Sequence, residues 1–341
     1  SDMTELEKVT AYGNIYLYSL IVPIISVSGI FLSYFNQQKR YKLLISNGIN
    51  PVKAANIIFN IPEVTKPNLL IIIGSIFFVI FTLLVGTSKM ALSQEIVFVG
   101  SFMIILFLLF KLSNELDANA KKMLIGTAII IFVFRAMPGV GQGGSWFEID
   151  ILGFDQEFLS LLGLIASFLT ILGIFVLRPL MEKSSMTRLI VILSIAGSFF
   201  ILPSIAMFYG FHEFTSKLTN GLVDARFIAI FNTALESPLG QVSMIPILAW
   251  IAQSAPSHLK ATFFAVLASF TNLALSASNL GTKYLNQIYV ITREVKNDLG
   301  IIKTPADYSE LGILLIIVCA LTLIIPILVT YIVKKLKLLS Y

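Results

Sequence analysis

The sequence predicts an all-α, polytopic helical membrane protein of about nine transmembrane helices, and three observations carry that expectation. Of its 341 residues, 57% are hydrophobic and 13% charged, with a mean hydropathy of +0.89. Soluble domains carry about 25% charged residues, and a soluble core of this size cannot hide so much apolar surface. The apolar residues come in blocks of about 20, the length a helix needs to cross roughly 30 Å of hydrocarbon. Alternating ten-residue segments, the mark of a membrane β-barrel, are absent.

Nine spans follow in order, each bounded by polar or turn-forming residues. The first, 14–35, ends at Asn36-Gln-Gln-Lys-Arg40. The second, 68–86, opens after Lys66-Pro67, and the third, 94–112, lies between Glu95 and Lys111 near its two ends. The fourth, 122–138, runs from Lys122 to Pro138 and a glycine-rich turn, Gly139-Val-Gly-Gln-Gly-Gly144. The fifth, 157–177, stops at Arg178-Pro179; the sixth is 188–209, ahead of Gly210. The last three are 226–252, 259–281 and 311–333, the final one closed by Lys334-Lys335. Pro and Gly at these joints break helices, and lipid offers free backbone groups no partners, so helices are the form available at depth.

Charge orients the spans. If the C-terminal Lys334-Lys335-Leu-Lys337 is cytoplasmic, the inside connections are 36–67, 111–122, 178–188, 252–260 and the tail. They hold 15 of the 24 Lys and Arg but 4 of the 19 acids. The outside segments hold 7 basic residues against 14 acids, and loop 139–157 carries Glu148, Asp150, Asp155 and Glu157 with no Lys or Arg. The positive-inside rule therefore places the C-terminus in the cytoplasm and the protein in a bacterial or organellar inner membrane. The pI of about 9.1 reflects those loops rather than a nucleic-acid partner. With nine spans Ser1 falls outside beside Asp2, Glu5 and Glu7, which reads as a chain lacking its opening spans. Inside loop 36–67 mixes basic and apolar residues from Tyr41 to Asn60, the pattern of an interfacial helix or of an ordinary basic linker.

Polar residues inside spans are costly in lipid and mark function or pairing. Arg135 ends the apolar run Ile129–Phe134, and Glu236 lies near the middle of span 226–252. Asp224 and Arg226 stand at the start of that span and Lys283 at the outer end of the next; interfacial snorkelling is the plain alternative for these three. The stretch Leu235-Glu-Ser-Pro-Leu-Gly-Gln-Val-Ser-Met-Ile-Pro246 is the most informative. Each proline removes a backbone donor and kinks a helix, and broken helices at depth face protein or a water-filled cavity. Glu236 and Gln241 are thus candidates to face a pathway. In the following span, Ala268-Ser-Phe-Thr-Asn272 and Ser276-Ala-Ser-Asn279 place small and amide residues at helical spacing, suited to close packing and, at Asn272, to a solute. Trp146 and Trp250 suit interfacial belts, and the single cysteine, Cys319, is a packing residue that permits no disulfide.

Enzymatic chemistry has no assembled parts. His212 and His258 are far apart, and no HExxH, CxxC or Gly-rich phosphate loop is present, so neither metal nor cofactor is expected. Ser237 lacks a nearby His, and no filter-like repeat points to a channel.

Phe134-Arg-Ala-Met-Pro138, Trp146-Phe-Glu-Ile-Asp-Ile-Leu-Gly-Phe-Asp155, the Glu236–Pro246 segment, Ala255-Pro256 and Ala261-Thr-Phe-Phe-Ala-Val-Leu-Ala-Ser-Phe-Thr-Asn-Leu-Ala-Leu-Ser276 together resemble the folate–biopterin transporter family of the major facilitator superfamily. The similarity runs from about Tyr12 to Val333 and is strongest over 122–290. It implies a secondary transporter of folate- or pterin-type solutes working by alternating access. Residues 1–121 would end an N-terminal bundle, and 122–341 would form a six-helix C-terminal bundle. On that reading Arg135 compensates a substrate carboxylate through its bidentate fork. Glu236 carries a coupling proton, burial favouring a carboxylate's neutral form. Another small organic solute, or a non-transporting sensor or scaffold on a shortened transporter fold, remain the alternatives.

Overall fold

The protein is described from a computed structural model covering residues 5–59, 69–88, 90, 92–240, 242–254, 260–296 and 302–338. By its internal contacts the chain divides into two compact units, 1–66 and 67–341.

In the first unit, α1 (Glu5–Ser19) and α2 (Ile21–Ser46) form an almost continuous rod. Leu20 keeps helical dihedrals between them, which lets Gly13–Ser46 act as one apolar span. At about 1.5 Å per residue its 34 residues exceed the hydrocarbon thickness. The excess end carries Gln37, Gln38, Lys39, Arg40 and Lys42, which belong in water. Gly48, with φ +84°, then turns the chain. The side chain of Asn50 accepts from the Val52 N–H at 2.9 Å and Pro51 takes the first helical position, starting α3 (Pro51–Phe59). Ala54 is fully buried, and the Tyr41 and Phe59 rings meet at 5.5 Å. Residues 36–59 are therefore a helix–turn–helix rather than a single interfacial helix, and 60–67 lie outside the described residues.

In the second unit the helices are α4 (Leu69–Gly86), α5 (Ser93–Ser113), α6 (Ala118–Arg135), α7 (Gln142–Asp150), α8 (Gln156–Val176) and α9 (Arg178–Lys183). They continue with α10 (Met186–Phe208), α11 (Phe211–Leu218), α12 (Ala225–Glu236), α13 (Met244–Ser254), α14 (Lys260–Ile288) and α15 (Leu311–Lys335). Between α14 and α15 two short antiparallel strands, β1 (Val295–Lys296) and β2 (Ile302–Thr304), make a hairpin. Acids and hydroxyls start these helices as capping chemistry dictates. Asp117, Asp155, Ser185 and Asp224 accept backbone N–H groups at the starts of α6, α8, α10 and α12.

Each of the nine expected spans has a helical counterpart among the described residues. Six helices are long and apolar enough to cross a membrane, and Ile72–Gly86 is a shorter apolar one. The protein is an integral, multi-pass α-helical membrane protein. Two expectations change in detail. Span 122–138 stops at Arg135, leaving Pro138 in an irregular segment. Span 226–252 is two half-helices, α12 and α13, of 12 and 11 residues. At about 1.5 Å per residue, neither alone crosses roughly 30 Å.

Buried apolar residues form five clusters among the described residues, and the two largest each join several elements. Ile130, Ile131, Ile190, Ile247, Phe263 and Leu267 join α6, α10, α13 and α14. The other region forms around α7: Phe147 packs with Leu311, Leu314 and Leu315 of α15, its ring 5.4 Å from that of Phe208. Segment 139–157 is thus built into the bundle. α10 and α15 pack closely along their length, where the Ser198 hydroxyl donates to the Cys319 carbonyl at 3.2 Å. Small hydroxylated residues permit that approach in lipid, and Cys319 packs half-buried within it.

Candidate functional site

Two places gather polar groups inside the bundle, and both trace to sequence. The first is the break between α12 and α13. Pro238 cannot donate to the carbonyl one turn back, so α12 ends at Glu236 and tightens into a 3-10 turn, Ser237–Leu239. The break is held open by its neighbours. Thr170 Oγ1 of α8 donates to the Ser237 carbonyl at 2.9 Å, and the Gly240 N–H donates to the same oxygen at 3.0 Å. A hydroxyl from a neighbouring helix satisfying a freed carbonyl is how lipid-embedded breaks survive. Val242 seals the segment, fully buried against Leu189 and Leu193.

Arg135 closes α6 beside this break. Its Nη1 lies 3.2 Å from the Met244 sulfur at the start of α13, and its Nε is buried without a partner. Glu236 is exposed at the end of α12 and has no hydrogen bond or ion pair among the described residues. Arg135 and Glu236 are therefore both next to the break, without pairing with each other. Gln241 lies outside the described residues.

The second place is a cavity of about 520 Å³ between α4, α5 and α14. Asn272 lines it, with Ser269, Ser276 and Asn279 on the same face of α14. The adjoining face of α14 is spent on structure. Ser278 Oγ donates to the Met137 carbonyl at 2.6 Å, Thr282 Oγ1 accepts from the Gly139 N–H at 2.8 Å, and Asn286 donates to the Val140 carbonyl at 3.1 Å. Those bonds hold the irregular segment after Arg135 and fix where α6 stops.

The remaining candidates have structural partners. Asp224 caps α12 by accepting from the Phe227 N–H at 2.8 Å. Arg226 pairs with Asp155 at 2.8 Å and lies over the Phe158 ring at 5.1 Å. The Phe158 backbone N–H, followed by Arg226, holds the Asp155 carboxyl below its usual range. The Asp224 role was open to the helix-capping pattern in sequence; the Arg226 partner, 71 residues away, was not.

Sequence reasoning missed two further clusters. Lys283 donates to Glu95 Oε1 at 2.6 Å and the Tyr284 hydroxyl donates to the same oxygen at 2.9 Å, bridging α14 to α5. Asp150 receives Arg293 Nε and Nη2 at 2.8 and 2.6 Å and the Tyr308 hydroxyl at 2.7 Å. Arg293, then Tyr308, holds the Asp150 carboxyl down, while burial and Asp150 push the Tyr308 phenol up to about 12. This clasp ties α7 to the segment between α14 and α15. Glu148, half-buried at a cavity of about 180 Å³ with Ser145 and Ser204, has its carboxyl raised by burial. Pairs of opposite charge far apart in sequence leave no local signal, which is why neither cluster was legible.

Comparison with known proteins agrees with these features. The model of the BT1 family matches residues 109–340. The folate-biopterin transporter of Synechocystis sp. is 21% identical over 154 residues, covering 45% of this chain. The match spans 30% of that relative's length, under a third of it. No solved structure matches. A family match over more than half its length, on a multi-pass helical bundle with a broken inner helix, means that this chain belongs to the BT1 family.

Proposed function

We propose that the protein is a secondary transporter of folate- or pterin-type solutes, working by alternating access between two helical bundles that meet near residue 121. The observation that carries this reading is the interrupted span 226–252, with the half-buried guanidinium of Arg135 beside it. Irregular backbone at membrane depth is tolerated where it packs against protein or lines a water-filled cavity, and transporters use such interruptions to present half-helix ends to a solute. Arg135, with its buried Nε unpaired, has capacity for a carboxylate; Glu236, unpaired at the break, is the group to carry a coupling proton. Lys334, Lys335 and Lys337 support a cytoplasmic C-terminus on the positive-inside rule. The family and the named function of the Synechocystis relative support the solute class.

Uptake of labelled folate into cells lacking their own carrier tests this. Saturable uptake, blocked by excess unlabelled pterin and reduced at least tenfold in Arg135→Ala, is expected. Glu236→Gln should flatten its pH dependence; an unchanged pH profile removes Glu236 as proton carrier. Absence of uptake with the protein confirmed in the membrane overturns the solute assignment.

A further inference from the structure

We propose that Glu95 and Lys283 are positioning residues of the transport cycle: their ion pair is a latch between the two bundles, closed in this conformation and broken when α5 and α14 part. The proposal rests on the transport reading above. α5 precedes the boundary near residue 121 and α14 follows it, so a rocking of one bundle against the other must change their contacts. Among the described residues, Lys283 to Glu95 is the one ion pair that crosses this boundary. The others join Arg226 to Asp155, Arg293 to Asp150, Arg178 to Glu182 and Lys296 to Glu294, all within 122–341.

The crossing pair is well made. Lys283 Nζ donates to Glu95 Oε1 at 2.6 Å, the Tyr284 hydroxyl donates to the same oxygen at 2.9 Å, and the Glu95 side chain is 17% exposed. Charges withdrawn from water this far depend on each other, and removing one leaves the other uncompensated. Elsewhere the two helices meet through rings. Phe98 and Phe102 of α5 run on to Phe132 of α6 and Phe270 of α14, with successive centroids 5.9, 5.6 and 5.0 Å apart. Apolar contact is non-directional and tolerates sliding, whereas a hydrogen-bonded ion pair is either made or lost. The cavity of about 520 Å³ reaches the pair, because Gln94, next to Glu95, and Leu280, three residues before Lys283, both line it. The latch is also poised for release. Glu95 Oε2 is buried with no hydrogen-bond partner among the described residues. An unsatisfied buried acceptor is costly; parting of α5 from α14 admits water to that oxygen and offsets part of the loss of the Lys283 bond.

The test is the rate at which a bulky maleimide labels purified protein carrying Ser101→Cys in a Cys319→Ser background. Ser101 lines the cavity and is 3% exposed, so a closed latch keeps this labelling slow. Glu95→Gln and Lys283→Met should each speed it at least tenfold, and the exchange of Glu95→Lys with Lys283→Glu should return it towards the parent rate. Thermal melting checks each protein, and the two single variants lie on different helices, so a folding failure in one does not decide the result. Native Cys319, half-buried between α10 and α15, is labelled in parallel without the Ser101 change. Unchanged labelling in a folded single variant overturns the latch. So does a rise that Cys319 shares, which marks general loosening, or a folded exchange variant that stays fast. In cells, Glu95→Gln should change the maximal rate of folate uptake more than its half-saturation; uptake identical to wild type overturns its place in the cycle. Absence of wild-type uptake overturns the transport reading, while the labelling rates still decide the latch.

Discussion

Gly173 of α8 lies directly against the backbone of Pro238, so close that a Cβ at this position would collide with the Pro238 carbonyl. The contact explains how a proline break is accommodated inside the bundle. A glycine lets the neighbouring helix press on the 3-10 turn, and Thr170, three residues earlier, reaches its carbonyl. Gly173→Ala should destabilise the protein by about 1–3 kcal/mol, the usual cost of overpacking where backbone must shift. Gly163→Ala on the same helix, where a Cβ meets open space, is the control and should leave the melting temperature in detergent unchanged or raise it.

The hydroxyl of Thr170 makes a separate contribution. Thr170→Val keeps its shape but removes the bond to the Ser237 carbonyl, which retains the Gly240 N–H. A loss of about 1 kcal/mol is expected, the net worth of one such bond. Thr170→Ser should recover most of it, as read from thermal melts of the three proteins side by side.

The Asp150–Arg293–Tyr308 clasp should titrate at both ends of the pH scale. Asp150 has a lowered folded value, so its contribution is present above the ordinary 3.8 and disappears as pH falls through the folded value. Tyr308 has a raised value, so its contribution is present below 10.0 and is lost as pH rises through about 12. Hydrogen exchange across 292–296 and 302–308 should therefore quicken at both extremes. Tyr308→Phe should abolish the alkaline limb and keep the acid one; an alkaline limb that survives the substitution removes Tyr308 as its source.

Glu148 behaves oppositely to Asp150. Burial raises its carboxyl, so the stability it confers is present below 4.5 and declines as pH rises through the folded value. Glu148→Gln should raise the melting temperature at neutral pH by a few degrees, because the substitution removes an ionised group from a half-buried site. At acid pH the two proteins should melt together.

Local pattern determined much of this protein. Block length and composition alone placed nine spans, and Pro238 and Pro246 marked the one that breaks, because helix length and proline chemistry act within a few residues of chain. The Asn272–Asn279 spacing likewise put both amides on one face before any neighbour was known. Tertiary structure decided what those features meet. It inserted α7 between helices instead of leaving 139–157 as a surface loop, ended α6 at Arg135 through bonds from Ser278, Thr282 and Asn286, and gave Arg226 to Asp155 and Lys283 to Glu95. Those outcomes depend on side chains 71 to 188 residues apart. A charge in a sequence shows that a partner is needed in lipid, but only the packing of helices brings a particular partner within reach.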